Sequence, residues 1–476
     1  MRKITAAAAF LATVLAGCKK SFLDLEPVSQ VSTGNFYKTE KDIEQAVSGA
    51  YDAMQSTGEY GRNFVYFMEV VSDNSKTESI TNSGGIYGDF DLFRVAPSNA
   101  VLDQTWKACY AGIQRCNIIL NRIDAVSMDE ATRAMRKGEV EFIRALTYFN
   151  LVRIWGDIPL VTEELSNPFD AFNHKREPVA KVYDQIISDL KDAAGKLPLV
   201  WSGNTNAGRA SKGAAQALLG KVYLTLKNYS EAANILSAVV NSGTYSLLPV
   251  FGDVFKTTNK NNKESVFEVQ FLKGGLGEGS IFANLFAPAG NNTLTGGIGS
   301  GSGDNVPTKN LISFFNSGPD PRRTATLDSL SDKRPYTKKY IDVPFQANDA
   351  SNNFIVLRYA DVLLMYAEAL NEMGYNPAGN AFTSLNTVRT RAGAGTYTAA
   401  SLPDQDAFRQ AIDKERRLEL AFENHRWFDL LRTGKTITVL NASGGGFTMQ
   451  PHQLIFPIPQ SQVDANPGVI IQNPGY

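Results

Sequence analysis

The chain has 476 residues, 43% hydrophobic and 10% aromatic, with 47 Lys and Arg against 48 Asp and Glu for a net charge of −1. That is core enough for one large or two ordinary domains, and the balanced charge excludes a nucleic-acid binder, which needs a concentrated basic surface. Past the first residues no run of eighteen apolar residues occurs, so no transmembrane helix is expected.

Met1-Arg2-Lys3 and the apolar run from Ile4 to Ala16 fit a secretory peptide over residues 1–17. The small Ala16-Gly17 pair set against Cys18 resembles the lipobox of bacterial lipoproteins, which implies a Cys18 acylated by palmitate-type chains as the mature N-terminus. Ser21-Phe22-Leu23-Asp24-Leu25-Glu26-Pro27 reads as an extended lead-in that Pro27 keeps out of helix. Helices then dominate. Thr39-Glu40-Lys41-Asp42 is a capping-box-like start, with Ile43, Val47, Ala50, Tyr51 and Met54 on one stripe. Trp106, Tyr110, Ile113, Asn117 and Leu120 repeat the spacing, as do Phe142, Leu146, Phe149 and Leu151 before the break at Gly156-Asp157-Ile158-Pro159. A further helix runs from Pro178 to Leu197, stopped by Pro198.

Two stretches match at an offset of 146: Leu219-Gly220, Tyr223, Ala232 and Leu236 against Met365-Tyr366, Ala369, Ala378 and Phe382. Each reads helix, short turn, helix, as in tetratricopeptide units, with an alanine after each turn to let two helices approach. A right-handed helical scaffold with long insertions is expected. One insertion, Tyr60 to Ser98, is rich in aromatic and polar residues. The other, Gly274 to Gly303, holds ten glycines, a composition unsuited to regular helix. Loops this long in a compact protein are usually either binding surfaces or locally disordered.

Catalytic signatures fail on inspection. Gly434-Lys435-Thr436 ends like a phosphate loop, but Asp429 stands where its first glycine belongs, and Gly275-x-Gly277-x-Gly279 lacks dinucleotide spacing. Glu163-Glu164 and Glu419 with Glu423 are acidic neighbours without a readable separation. Cys109 and Cys116 lie about 10 Å apart along one helix, too far to bridge, and read as buried free thiols. His174, His425 and His452 suggest no metal site. The block Glu415 to Arg432 reads as a packed helix with ion pairs Glu423–Arg426 and Asp429–Arg432 three residues apart, and with Leu418, Phe422, Trp427 and Leu431 inward.

The lipobox with its Ser21–Pro27 lead-in, the Phe142-Ile143-Arg144-Ala145-Leu146 helix ending at Trp155-Gly156-Asp157-Ile158-Pro159-Leu160, and the block Glu423-Asn424-His425-Arg426-Trp427-Phe428-Asp429-Leu430 together resemble SusD/RagB-type lipoproteins of Bacteroidetes. The ending is similar too, from Phe456-Pro457-Ile458-Pro459-Gln460 through Asp464-Ala465-Asn466-Pro467 to Gln472-Asn473-Pro474-Gly475-Tyr476. The resemblance implies a mostly α fold, a tetratricopeptide-like scaffold with long irregular loops and few short strands. Residues 18–476 would form one SusD-like domain, with halves 18–225 and 226–476. It also implies a non-enzymatic, cofactor-free protein lipid-anchored on the outer membrane and facing outward, which passes a captured oligo- or polysaccharide to a SusC-like TonB-dependent transporter. A secreted glycoside hydrolase on a helical scaffold and a peptide receptor of the same architecture remain alternatives.

No shared motif carries the binding residues, so they follow from sugar chemistry, which asks for exposed rings and amide or carboxylate partners. The four tryptophans, Trp106, Trp155, Trp201 and Trp427, sit in or beside the shared blocks, and most are expected to be structural. An aromatic platform is expected from Tyr60, Phe64, Tyr66, Tyr87, Phe90 or Phe93, with Tyr87 and Phe90 taken as site residues and Phe282 and Phe286 opposite. Asp73, Asn74, Asn291 and Asn292 are the polar candidates.

Overall fold

The structure, a computed structural model, describes residues 36–78, 80–203 and 206–476; the segment expected as a signal peptide, Cys18 and the expected Ser21–Pro27 lead-in lie outside them. Among the described residues, the scaffold includes the helices α1 (Glu40–Met54), α2 (Ala100–Arg122), α3 (Glu130–Trp155), α4 (Val179–Lys196), α5 (Lys212–Thr225), α6 (Tyr229–Asn241), α7 (Tyr359–Met373), α8 (Asn380–Arg391), α9 (Gln405–Glu419) and α10 (Arg426–Arg432). From α1 to α8 each packs on the next, and α9 packs on α7. The starts follow local chemistry. The hydroxyl of Thr39 accepts from Asp42 N at 3.2 Å while the Asp42 carboxylate accepts from Thr39 N at 2.9 Å, a capping box that satisfies two otherwise orphaned donors. Asn99, Asp129 and Ser211 cap α2, α3 and α5. Gly156, at φ +73°, ends α3 in a conformation glycine adopts freely.

The two repeat units are present as α5–α6 and α7–α8. In the first, a Cβ on Gly220 would lie 2.5 Å from Leu236 Cδ2, so glycine permits the close approach. The alanines divide: Ala232 is buried, whereas Ala378 sits exposed in its turn and Ala381 takes the packing position. Strands are short and paired in twos, the longest ladder joining Ser265–Val269 to Phe354–Arg358 in antiparallel register. Cys109 and Cys116 are buried free thiols, and burial pushes the Cys116 thiol up to about 12.

The charged block departs from the expected continuous helix. It breaks between α9 and α10, where Phe422 and Asn424 both take φ +66°. The backbone N–H groups of Phe422 and Asn424 are satisfied by the buried Glu69 carboxylate, at 3.0 and 2.8 Å, and Tyr340 Oη donates to the Phe422 carbonyl at 2.8 Å. The expected Glu423–Arg426 pair is absent because both side chains have better-placed partners across the fold. Glu423 takes Arg358 and Lys339, while Arg426 takes Asp73 at 2.8 Å and Asp413 at 2.7 Å. Asp429–Arg432 forms at 2.9 Å as expected. Around it, Arg358 is ringed by Glu264, Glu419 and Glu423, and Arg322 by Asp320, Glu415 and Glu419. Charges this deep are tolerable only when every one has a partner.

Candidate functional site

The two insertions meet through backbone and buried polar groups. Ser75–Lys76 pairs antiparallel with Val306–Pro307. Glu78 N donates to the Gly303 carbonyl at 2.7 Å, and the Glu78 carboxylate accepts from Ala289 N at 2.9 Å. Asp304, held above the usual carboxylate range by burial, accepts from Tyr66 Oη at 2.6 Å and Thr77 Oγ1 at 2.5 Å.

This junction takes most of the expected ligand residues out of reach. Asp73 is buried between Arg417 and Arg426; burial alone would raise its carboxyl, but the two guanidiniums outweigh it and hold it below the usual range. Asn74 is buried against Arg417 and Glu69. Phe90 packs in the core on Phe67 and Phe456. The non-glycine stretch Phe282–Phe286 forms one short helix after all, and it turns both rings inward, stacked on each other at 5.3 Å and edge-on to Tyr340. Tyr60, Phe64 and Tyr66 are core residues as well, and Phe93 packs on Trp427 and Phe447. All but the partly buried Phe93 are buried because the insertions cover the scaffold instead of extending from it. Tyr87, 8% exposed, lies at the margin with its ring stacked on Tyr66 and the Arg62 guanidinium 4.0 Å above it. Asn291 is partly exposed and accepts from Leu294 N at 3.2 Å. Asn292 is exposed at the start of a glycine turn.

The free ring on this face is one the sequence reading did not select. Phe345 is 62% exposed on a loop held from several sides. Its N–H donates to the Asp349 carbonyl at 2.8 Å, the Asp349 carboxylate accepts from Gly275 N at 2.7 Å, and Lys273 pairs with Asp342 at 3.1 Å. Asn284 bridges the same loop to the glycine turn, accepting from Asn348 N and donating to the Ile298 carbonyl, both at 2.9 Å. A Cβ on Gly275 would come within 3.1 Å of the Phe345 ring, and one on Gly296, at φ +64°, within 3.0 Å of Val343. The result is a fixed, open strip from Leu276 through Phe345 and Val343 to the Asn291–Asn292 turn. Phe345 lies outside both insertions in an ordinary Pro-containing stretch, so only the fold reveals it.

The acidic neighbours are spoken for. Glu164 binds Arg122 and Asn121, and Glu419 is held far below the usual range, against its own burial, by Arg358, Arg391 and Arg322. The tryptophans are mostly structural: Trp106, Trp155 and Trp427 are buried, and Trp201 is half-buried, donating to the Ala210 carbonyl at 2.7 Å. Among the described residues no group of three or more His, Cys, Asp or Glu is placed to hold a metal ion.

Comparison with known proteins agrees with this architecture. The model of the SusD family matches residues 328–476, and that of a family described as starch-binding associating with outer membrane matches residues 21–224. SusD-like protein P25 of Formosa agariphila is 30% identical, covering 96% of each chain, and SusD-like protein P2 of the same organism is 28% identical over the full length of both. A solved laminarin-binding SusD-like protein superposes with a TM-score of 0.80 at 30% identity, covering 92% of this chain and 100% of its own. A SusD superfamily protein from Parabacteroides distasonis gives 0.79 at 27% identity, covering 94% and 100%. The chain belongs to the SusD family.

Proposed function

We propose that this protein captures a glycan at the cell surface and delivers it to a SusC-like TonB-dependent transporter, tethered to the outer membrane by lipid on Cys18. The observation that carries this reading is the full-length kinship with a laminarin-binding SusD-like protein. The open strip around Phe345 supplies suitable chemistry: an exposed ring to stack on the C–H face of a sugar, with the Asn291–Asn292 turn at the end of the strip. An open strip suits a polymer passing across it, and the fixed loop lowers the ordering cost of binding. Asp73, Asn74, Phe90, Phe282 and Phe286 have no part in this site.

Native electrophoresis through gels cast with laminarin, starch or xylan tests the reading. Retardation by one polymer, with no release of reducing ends on incubation, supports capture without turnover, whereas steady hydrolysis that survives further purification favours the hydrolase. The anchor has its own check: Cys18→Ala is expected to move the protein from the membrane to the soluble fraction with an unchanged melting temperature.

A further inference from the structure

A second aromatic surface lies on other elements, sharing no residue with the Phe345 strip. A cleft of about 430 Å³ opens between α2, the loop 159–174 and the C-terminal segment 462–470, a volume within the range of small-molecule sites. Trp106, Tyr110 and Ile113 of α2 form one wall and Ile470 another. The walls are fixed: Tyr110 Oη donates to the Pro159 carbonyl at 2.7 Å, the Gln114 amide donates to the Leu165 carbonyl at 3.1 Å, and Asn466 Nδ2 donates to the Phe172 carbonyl at 2.8 Å.

At the rim, one 3-10 turn (Pro168–Asn173), capped by Asn167, presents Phe169 and Phe172 to solvent at 72% and 43% exposure. The ring centroids are 6.2 Å apart and the planes tilt by 36°, so two successive, mutually rotated faces are offered. Polar atoms converge on the same cleft. Asn466, Gln462 and His174 line it; the amide nitrogens of the first two and Nε2 of the third are engaged, whereas Asn466 Oδ1, Gln462 Oε1 and His174 Nδ1 have no hydrogen-bond partner among the described residues.

We infer that this cleft is a second glycan site, in which a twisted polysaccharide stacks consecutive sugar rings on Phe169 and Phe172 and sets hydroxyls against Gln462, Asn466 and His174. An apolar side chain from a protein partner fits less well, because it would strip water from those amide and imidazole atoms and return no hydrogen bond. Sugar hydroxyls return them, and the C–H faces match the rings. The inference rests on the glycan-capture reading and adds a consequence to it: two sites on one chain hold a long polymer more tightly than either alone, through the high local concentration of the second segment.

The test measures wild type, Phe169→Ala/Phe172→Ala and Phe345→Ala, all exposed changes that leave the core intact. Retardation in gels of laminarin, starch and xylan is followed by calorimetric titration with an oligosaccharide of the polymer that retards, laminarihexaose in the first case. Two oligosaccharides per wild-type chain, falling to one in the double variant, with polymer affinity reduced roughly tenfold or more, is the expected result. A stoichiometry of one that the double variant leaves unchanged, with polymer affinity intact, overturns the second site while glycan capture stands. Retardation of the wild type by none of the polymers counts against glycan capture itself and takes the second site with it.

Discussion

Between Glu415 and Arg432 each arginine and carboxylate is turned onto a partner, whereas the loop 341–349, with one ring and few charges, leaves Phe345 in solvent. The region that looks chemical is consumed by folding, and the region that looks plain is left free to bind. A buried charge has no stable alternative to its ion pair, so residues of that kind in a well-packed block report on stability. A large ring is costly to leave in water, so a fixed, exposed one on a surface strip points to a partner.

Breaking the ion-paired side gives the largest expected effect. Arg358→Ala leaves Glu264, Glu419 and Glu423 facing each other with fewer cations, and a loss of about 3–5 kcal/mol in denaturant unfolding is expected. Arg426→Ala leaves the buried Asp73 with Arg417 alone and Asp413 with Lys435 alone, and a loss of about 3 kcal/mol is expected, with glycan affinity per folded molecule unchanged. Lost affinity at normal stability would place the block in the site.

A third change acts in the opposite direction. Glu59 is buried with neither carboxylate oxygen hydrogen-bonded, and burial pushes its pKa from 4.5 to about 8. The native state therefore keeps this proton where the unfolded chain has lost it, and stability falls as pH rises from 4.5 to 8. Glu59→Gln removes that dependence, so its margin over wild type should widen across the window by up to roughly 1.4 kcal/mol per pH unit. Parallel unfolding curves at pH 5 and pH 8 check it; an identical margin at both would place Glu59 in water. Phe345→Ala is expected to have the smallest effect on stability, within about 0.5 kcal/mol.

Much of the scaffold was legible. The Thr39 capping box, the glycine stop after Trp155 and the paired helix-turn-helix units follow from rules acting within a few residues. What escaped depends on contacts between distant segments. Glu423 and Arg426 sit at a helical spacing, yet Arg358 and Asp73, far away in sequence, claim them. Phe282 and Phe286 occur in a glycine-rich loop that suggests exposure, but their pairing with Tyr340 buries them. No periodicity marks Phe345 or Phe169, because exposure of a single ring is a property of the assembled surface.

The most direct measurement is glycan affinity and melting temperature for Phe345→Ala beside Arg426→Ala, by titration with the retarding polymer and thermal unfolding on the same preparations. Affinity reduced about tenfold or more at unchanged melting temperature in Phe345→Ala, with lower melting temperature and wild-type affinity in Arg426→Ala, is the predicted result. The reverse pattern, with binding lost in Arg426→Ala and kept in Phe345→Ala, would contradict the division between the ion-paired interior and the binding strip.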